Sequence, residues 1–538
     1  MKKIKILFVA LSKVHGDYEP LGVECLAGHL EKIFGSAVES KIVRVRTVQE
    51  AAMLGELIKE RQPSILALSL FFDTLDLVAV VMSQLNRLRK GPFVIFGNVL
   101  AGPNTELLLG KYPKAVVAFG NGEFAIQMLV KSLLGRKKIC AVPNIAFLKN
   151  GEICRTVTEP SPMGTPLRFF LKQTKRNPQG KIYLEASRGC PNQCDFCSQS
   201  SSRVEKSRRQ LYEEITVLAK SYGGIIQLDF VDDDLFAVPE TALRVASVVL
   251  QLKREGRLRQ EVKIMCSLSV RSLLAINAMT ALKALKDAGL DKCFIGIESF
   301  SSPQLKRLGK RHSSEEAVTA LRLLDKKGID YDVGFIMTEP ETSLDDLLAN
   351  CHGIRATRSE VAISNPLHQW RALAGTTMCQ RLIVDGLVTE HYDPNWLTYD
   401  WAYADQRVAE IIRHAKDLES GLALVGAVIK RICRSEEWYQ LPTDSMRYIR
   451  QCKKDINLLF LDFLEMAADK QKKGEAINKP RDEYAKKAID FLSQLIDNRG
   501  GGVMELYNAA QQALAIKKFS HRHLLLPQDE PKDFIRGS

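Results

Sequence analysis

Residues 188–197 read Arg188-Gly189-Cys190-Pro191-Asn192-Gln193-Cys194-Asp195-Phe196-Cys197, three cysteines at C-x3-C-x2-C spacing directly after the apolar run Lys181 to Ala186. Three thiolates on one tight loop can hold three irons of a cubane [4Fe–4S] cluster, which leaves the fourth iron without a protein ligand and open to a small molecule. An electron-transfer ferredoxin would normally supply a fourth cysteine. A zinc site needs a fourth N or S ligand and usually pairs C-x2-C knuckles, so structural zinc is the weaker reading.

A loop of this kind needs a scaffold, and hydrophobic periodicity supplies one on each side. Before it, the apolar runs Ile4–Ala10, Ile42–Val45, Ile65–Leu70, Phe93–Phe96 and Ala115–Ala118 alternate with amphipathic stretches at Leu21–Phe34, Val48–Arg61, Leu75–Leu88 and Ala125–Leu134. Strands with crossover helices make a doubly wound, Rossmann-like parallel sheet over residues 1–150. Ligands of such sheets sit at the carboxyl ends of the strands. Here those ends carry Ser12 to Tyr18, Ser69 to Thr74, Gly97 to Asn104 and Gly120 to Glu123. The Pro- and Gly-rich residues 151–180 read as a linker. From 181 to 400 six more βα units follow, with strands at Lys181–Ala186, Ile225–Val231, Val262–Leu268, Cys293–Ile297, Asp332–Met337 and Val361–Ser364. They predict a partial (β/α)6 TIM-type barrel with its chemistry at the strand carboxyl ends. One barrel helix, Ser314–Lys327, is opened by Ser313/Ser314 and Glu316. Residues 401–538 read as a helical C-terminal domain, with helices near Asp405–Leu418, Leu422–Ile432, Ile456–Ala468, Asp482–Leu495 and Val503–Ile516. The aromatic group His391, Tyr392, Trp396, Tyr399 and Trp401 just before it serves either to close a substrate pocket or to pack domains together.

The cysteine loop, with an aromatic residue before its last cysteine, resembles the radical SAM superfamily. The resemblance implies that the open iron chelates S-adenosylmethionine (SAM) and that an electron from the cluster cleaves it to a 5′-deoxyadenosyl radical. It assigns Cys190, Cys194 and Cys197 to the cluster. An acidic residue after the second barrel strand, Asp232 or Asp233, is assigned to the SAM ammonium, while Asp234 caps the following loop. Ser267 and Arg271 after the third strand are assigned to the SAM carboxylate or ribose. In Gly296-Ile297-Glu298-Ser299, the glycine would admit adenine and Glu298 would accept from the ribose, or else pair with a neighbouring basic residue. The trailing Leu305-Lys306-Arg307-Leu308-Gly309-Lys310 belongs to the same signature, whereas Phe335–Thr342 has Glu339 where a glycine is usual.

Residues 1–150 are similar to the cobalamin (B12)-binding domain of one radical SAM class. The matches are Glu19-Pro20-Leu21-Gly22-Val23, Leu68-Ser69, Ile95-Phe96-Gly97-Asn98 and Phe119-Gly120-Asn121-Gly122-Glu123-Phe124. The contacts implied with cobalamin are Ser12, Pro20, Leu21, Gly22, Ser69, Leu70, Gly97, Asn98, Gly120, Gly122 and Glu123. Small residues suit strand ends against which the cofactor's nucleotide tail slides. Asn98 stands where a second glycine is usual, and the missing D-x-H-x-x-G motif implies no axial histidine. His15 reads as a solvated loop side chain.

The resemblance implies a cobalamin-dependent C-methyltransferase acting on an unactivated carbon of a small-molecule or natural-product substrate, fed by an external flavodoxin- or ferredoxin-like reductant. The same cofactors also suit a radical rearrangement or cyclisation, or a non-catalytic corrinoid or redox sensor. A methylthiotransferase would need a second three-cysteine cluster, which Cys25, Cys140 and Cys154 do not present. The nine cysteines outside the loop read as small buried apolar side chains.

The remaining constraints come from the bulk sequence. No apolar run reaches the ~18 residues of a membrane span. Met1 to Leu11, basic then apolar, reads as a first strand rather than a signal peptide. With clustered thiols that need reducing conditions, this predicts a cytoplasmic protein. The net charge is +13, of which residues 1–150 carry 20 Lys+Arg against 12 Asp+Glu. The excess is spread over helix faces and loops rather than interleaved with aromatics, so no nucleic-acid groove is expected.

Overall fold

The computed structural model describes residues 3–13, 20–86, 88, 91–135, 139–159, 162–164, 181–198, 203–221, 227–434 and 443–497. His15, Glu19, most of the linker, the helix expected at 503–516 and the side chain of Cys433 lie outside the described residues.

The first sheet contains β1 (Ile4–Leu11), β2 (Val38–Val45), β3 (Ile65–Leu70), β4 (Phe93–Gly97), β5 (Val116–Ala118), β6 (Ile145–Lys149) and β7 (Glu152–Arg155), in the order β2-β1-β3-β4-β5-β6-β7. The first five strands are parallel, and β6 and β7 add an antiparallel edge. The order 2-1-3-4-5 reverses between β1 and β3, so the crevice of such a sheet opens beyond Leu11 and Leu70. Residues 152–155, read as part of the linker, instead form β7 and extend the sheet past residue 150. Its partner β6 also lay outside the predicted runs.

The second sheet comprises β8 (Lys181–Leu184), β11 (Gln227–Phe230), β12 (Lys263–Ser269), β13 (Leu290–Glu298) and β14 (Asp330–Phe335). All are parallel, in the order β14-β13-β12-β11-β8. The sixth expected strand shrinks to a single bridge between Ile363 and Val333. Between β8 and β11 a short antiparallel pair, β9 (Ser187–Arg188) and β10 (Val204–Glu205), brackets the cysteine loop. The helix Ser314–Lys327 has the predicted capping box from Ser313 and Glu316.

The C-terminal helices Gln406–Arg434, Thr443–Lys472 and Asn478–Asp497 share one core with the second sheet, through Ile411, Phe463 and Leu464 beside Ile354. The first merges the two short helices expected there. Of the nine other cysteines, Cys25, Cys266, Cys293, Cys351, Cys379 and Cys452 are buried as expected, Cys154 is half-buried and Cys140 is exposed.

A third sheet was not foreseen. It consists of β15 (Ala372–Leu373), β16 (Val388–Asp393) and β17 (Thr398–Trp401). Its β16–β17 turn reaches back to the first sheet. Trp396 stacks on Phe72 with ring centres 5.9 Å apart and planes 7° apart. Asp73 N donates to Asn395 O at 2.9 Å, and Asn104 Nδ2 donates to Pro394 O at 2.9 Å. The aromatic residues of this segment therefore join the two sheets, with Trp401 packed near Trp370, while His391 stays exposed.

Candidate functional site

The cysteine loop lies across the carboxyl end of the second sheet, and polar side chains fix it from two directions. The first set follows β11. Asp232 accepts from Ala186 N at 2.9 Å, from Ser187 N at 2.5 Å and from the Ser187 hydroxyl. Asp233 accepts from Gly189 N at 3.0 Å. Asp234 accepts from Phe236 N, the Ser272 hydroxyl and Asn192 Nδ2 at 3.0, 2.9 and 3.3 Å. Gly189 has φ +85, a left-handed conformation that a side chain would strain. Its carbonyl accepts from Arg203 Nη1 at 3.1 Å. Burial pushes the Asp232 carboxyl up to about 6 and raises Asp233 and Asp234 as well. All three aspartates thus hold the start of the loop, through residues 186, 187, 189 and 192. Asp232, an expected SAM contact, is buried with both oxygens committed to residues 186 and 187.

The second set follows β13. Asp195 N donates to Leu308 O at 3.1 Å and Met378 N to Asp195 O at 2.9 Å. Gly309 has φ +68, and a Cβ there would lie 2.8 Å from the backbone nitrogen of Asp195. Beside it Lys310 pairs with Glu298 at 3.1 Å, donates to Gly296 O at 3.3 Å and lies 5.7 Å from the Phe196 ring centre. Burial pulls the Lys310 pKa down, but Glu298, with Cys194 and Cys197 behind it, more than offsets this and the net shift is upward. A bulge between Gly296 and Glu298 and the left-handed φ of +71 at Glu298 turn that carboxylate toward Lys310. A Cβ at Gly296 would sit 2.7 Å from Glu298 Oε1, so the ion pair itself accounts for the glycine. Of the two readings of Glu298, the structure shows the pairing with a basic neighbour. Glu339, at the departure from the usual turn, is buried against Arg307 at 2.7 Å.

Ser267 is half-buried on β12, and Arg271 is exposed on the turn Val270–Leu273. Both lie at the edge of the same face. A cleft of about 510 Å³ opens beside the loop, lined by Gln193, Asp195, Lys306, Lys310 and Arg311 among others.

None of the three cysteines is in a disulfide and all are half-buried, and burial raises the pKa of Cys190 and Cys194. No three His, Cys, Asp or Glu side chains among the described residues gather as ligands of one ion. Ligands that each hold a different iron of a cubane do not have to. Three sulfur donors outside any disulfide, on one braced loop, fit that group by donor chemistry.

At the first sheet, Ser12 and Leu70 are buried, Ser69 is half-buried, and Asn98 and Gly120 are exposed at the strand ends. Asn98 has φ +73, donates through Nδ2 to Ser69 Oγ at 3.0 Å and accepts from Val99 N at 2.8 Å. The backbone there is left-handed, and asparagine is among the non-glycine residues that adopt it most readily, which explains the exchange. Pro20 precedes the helix Leu21–Phe34, where Leu21 is half-buried and Gly22 exposed. A Cβ at Gly22 or Gly97 would meet nothing within 4 Å, so no protein packing demands glycine at either place. An open backbone at a strand-end crevice fits a ligand that approaches closely. Gly122, by contrast, packs on Leu26, with a Cβ 3.2 Å from Leu26 Cδ2.

Glu123 departs from its expected place in the crevice. It is buried, and Oε1 accepts from Arg188 Nη1 at 2.6 Å and from Gly164 N at 3.2 Å. Arg188 also donates to Glu185 through Nη2 at 2.8 Å. Periodicity does not signal Arg188 or Lys310 as partners of these acids, because each pair is joined only by the folded loops.

Residues 184–350, which hold the cysteine loop and most of the second sheet, match the radical SAM superfamily. Over 353 residues it is 26% identical to 4′-phospho-dehydrooxetanocin synthase of Priestia megaterium, covering 59% of this chain and 46% of that protein, so the chain spans about half of that relative's length. It is also 26% identical over 341 residues to hopanoid C-3 methylase of Methylococcus capsulatus, covering 60% of this chain and 62% of the methylase. Its fold matches the cobalamin-dependent S-adenosylmethionine radical enzyme OxsB with TM-score 0.77 at 17% identity, covering 95% of this chain and 84% of that one. The fold class is therefore that of the cobalamin-dependent radical SAM enzymes, with a parallel sheet in front, a radical SAM sheet, and helices behind.

Proposed function

We propose that this enzyme carries a [4Fe–4S] cluster on Cys190, Cys194 and Cys197, binds SAM at the open iron, holds cobalamin in the strand-end crevice of the first sheet, and methylates an unactivated carbon of a small-molecule substrate. The observation that carries this reading is the Glu123–Arg188 contact, which sets the edge of the first sheet's crevice against the root of the cysteine loop. Methyl transfer to a substrate radical needs its reacting centres held in one water-poor space. When bound, cluster and SAM supply a 5′-deoxyadenosyl radical and the corrinoid supplies a methyl group. The chain's own part is to fix the loop through Asp232, Asp233 and Asp234, and to hold its far half against Gly309 and Lys310. Ser267, Arg271 and Asp233 edge the face that SAM would occupy. Ser12, Ser69, Gly97, Asn98 and Gly120 edge the face of the corrinoid, with Gly22 at the start of the neighbouring helix. Exposed Lys306 and Arg311 beside Gln193 suit an acidic reductant. Cysteines outside any disulfide on a cluster loop fit a cytoplasmic setting, and among the described residues no helix is long and apolar enough to cross a membrane. We take residues 1–150, 181–400 and 401–538 as the working units.

A radical rearrangement without methyl transfer is the second reading, favoured by the synthase among the relatives. The test is anaerobic reconstitution with iron, sulfide and hydroxocobalamin, followed by SAM and reductant. About four irons and about one corrinoid per chain, with 5′-deoxyadenosine formed, are expected. Iron without corrinoid would sink methyl transfer and leave the rearrangement reading in front.

A further inference from the structure

Between the strand-end crevice of the first sheet and the start of the cysteine loop lies a knot of buried charge. Glu123 is the second residue of the helix Gly122–Leu133, which starts at the carboxyl edge of the first sheet. Its partner Arg188 lies in β9, two residues before Cys190, and is held from its other side by Glu185. The helix Leu21–Phe34, which also borders the crevice, places Cys25 Sγ 3.9 Å from Glu185 Oε2. Gly164 closes the knot. Its N–H donates to Glu123, and a Cβ on it would lie 2.4 Å from the Cys25 carbonyl oxygen. Both helices at the crevice therefore rest on residues 185 and 188, and the cysteine loop starts from those same residues. Arg188 is only 17% exposed and Glu123 1%, so neither can turn to solvent without leaving the other charge buried.

We propose that Glu123 and Arg188 are positioning residues that make occupation of the first sheet's crevice and assembly of the cluster loop mutually dependent. Cluster binding fixes residues 188–197, and the fixed Arg188 holds Glu123 and the start of its helix in the arrangement the crevice needs. Linkage makes the effect reciprocal: whatever tightens one site through the other is returned in equal measure. This inference rests on the cofactor assignment above.

The test titrates the full chain with hydroxocobalamin anaerobically, with and without its cluster, in the wild type, in Glu123→Gln and in Arg188→Lys. The wild type is expected to bind hydroxocobalamin about fivefold or more tightly when the cluster is present, the low end of measured couplings. In Glu123→Gln the ratio falls toward one. Arg188→Lys, which keeps the charge but loses the fork that spans Glu185 and Glu123, gives an intermediate ratio. Bound hydroxocobalamin should also slow iron loss to a chelator in the wild type and not in Glu123→Gln. A wild-type ratio of one, or an unchanged ratio in both variants, overturns the coupling while leaving the corrinoid assignment intact. No binding to either wild-type form overturns that assignment and the coupling with it. If Glu123→Gln does not fold, Arg188→Lys and the chelator measurement decide alone.

Discussion

The Glu298–Lys310 pair gives a sharp prediction, because the resemblance and the structure assign Glu298 different work. Its Oε1 lies 3.1 Å from Lys310 Nζ, with the side chains 13% and 9% exposed. At an effective dielectric of about 20, the gross attraction at that distance is about 5 kcal/mol. Desolvation cancels much of it in the intact pair, but removing one partner strands the other charge in the interior, at a cost of about 3–5 kcal/mol. Lys310→Met should therefore lower local stability by about that amount. Glu298→Gln should do the same, leaving Lys310 with the Gly296 carbonyl. The double variant should recover most of the loss, because a neutral pair of similar volume strands nothing. The assay is hydrogen exchange of amides in β12 and β13, which reads opening free energy locally where a chain of several units need not unfold in two states. SAM binding is measured on the same variants. If Glu298 instead serves the ribose alone, Glu298→Gln weakens SAM binding while exchange stays at wild-type rates. Single losses below about 1 kcal/mol, or a double variant as unstable as the sum of the singles, would refute the ion-pair account.

Three further outcomes follow from the same geometry. Gly309→Ala, with φ +68 and a Cβ forced to within 2.8 Å of Asp195, should push the loop outward and reduce iron per chain after reconstitution; full iron with an unchanged cluster EPR spectrum would count against it. Asp232→Asn keeps one acceptor for Ser187 but turns an NH₂ toward Ala186 N, and should cost about 1–3 kcal/mol by thermal unfolding of the apoprotein; no change in melting would show that those bonds carry nothing. Burial, helped by the Lys310 charge, lowers the His312 pKa to about 4, so the folded protein binds fewer protons than the unfolded chain between there and the usual His value. Stability should then fall by about 3 kcal/mol as pH drops from 6.5 to 4, and His312→Gln should flatten that slope in a pH series of denaturation curves.

The cysteine loop was legible because its chemistry lies in ten consecutive residues. The first sheet was legible because central strands such as β1 and β3 are almost continuous buried apolar runs. What periodicity does not encode is where a polar side chain points once its strand has ended. Asp232 and Asp233 were the expected ligand-facing pair, yet both accept from backbone N–H groups of the loop's entry, and Asp232 is buried. The partners of Glu298 and Glu123 are hidden for a related reason. One is set by a bulge and a left-handed residue, the other joins residues 65 positions apart. The β16–β17 turn was missed because β16 is mostly polar, and its docking partners on the first sheet lie some 290 residues earlier.

These inward-turned acids bear on function more than their loss as ligands suggests. An iron with an open coordination position is useful only if its three thiolates are held still while a small molecule binds and leaves. Apolar packing alone suits a loop poorly, because its backbone N–H groups would be buried without partners. Here Asp232 and Asp233 take up those N–H groups on the entry side, Asp234 holds the Asn192 side chain, and cations stand nearby: Arg203 on the Gly189 carbonyl and Lys310 beside Cys194 and Cys197. The acids brace the loop, and Lys310 opposes the burial that raises the Cys194 thiol. On the same logic Arg188, positively charged two residues before Cys190, is placed to respond to cluster loading and to pass that response to Glu123.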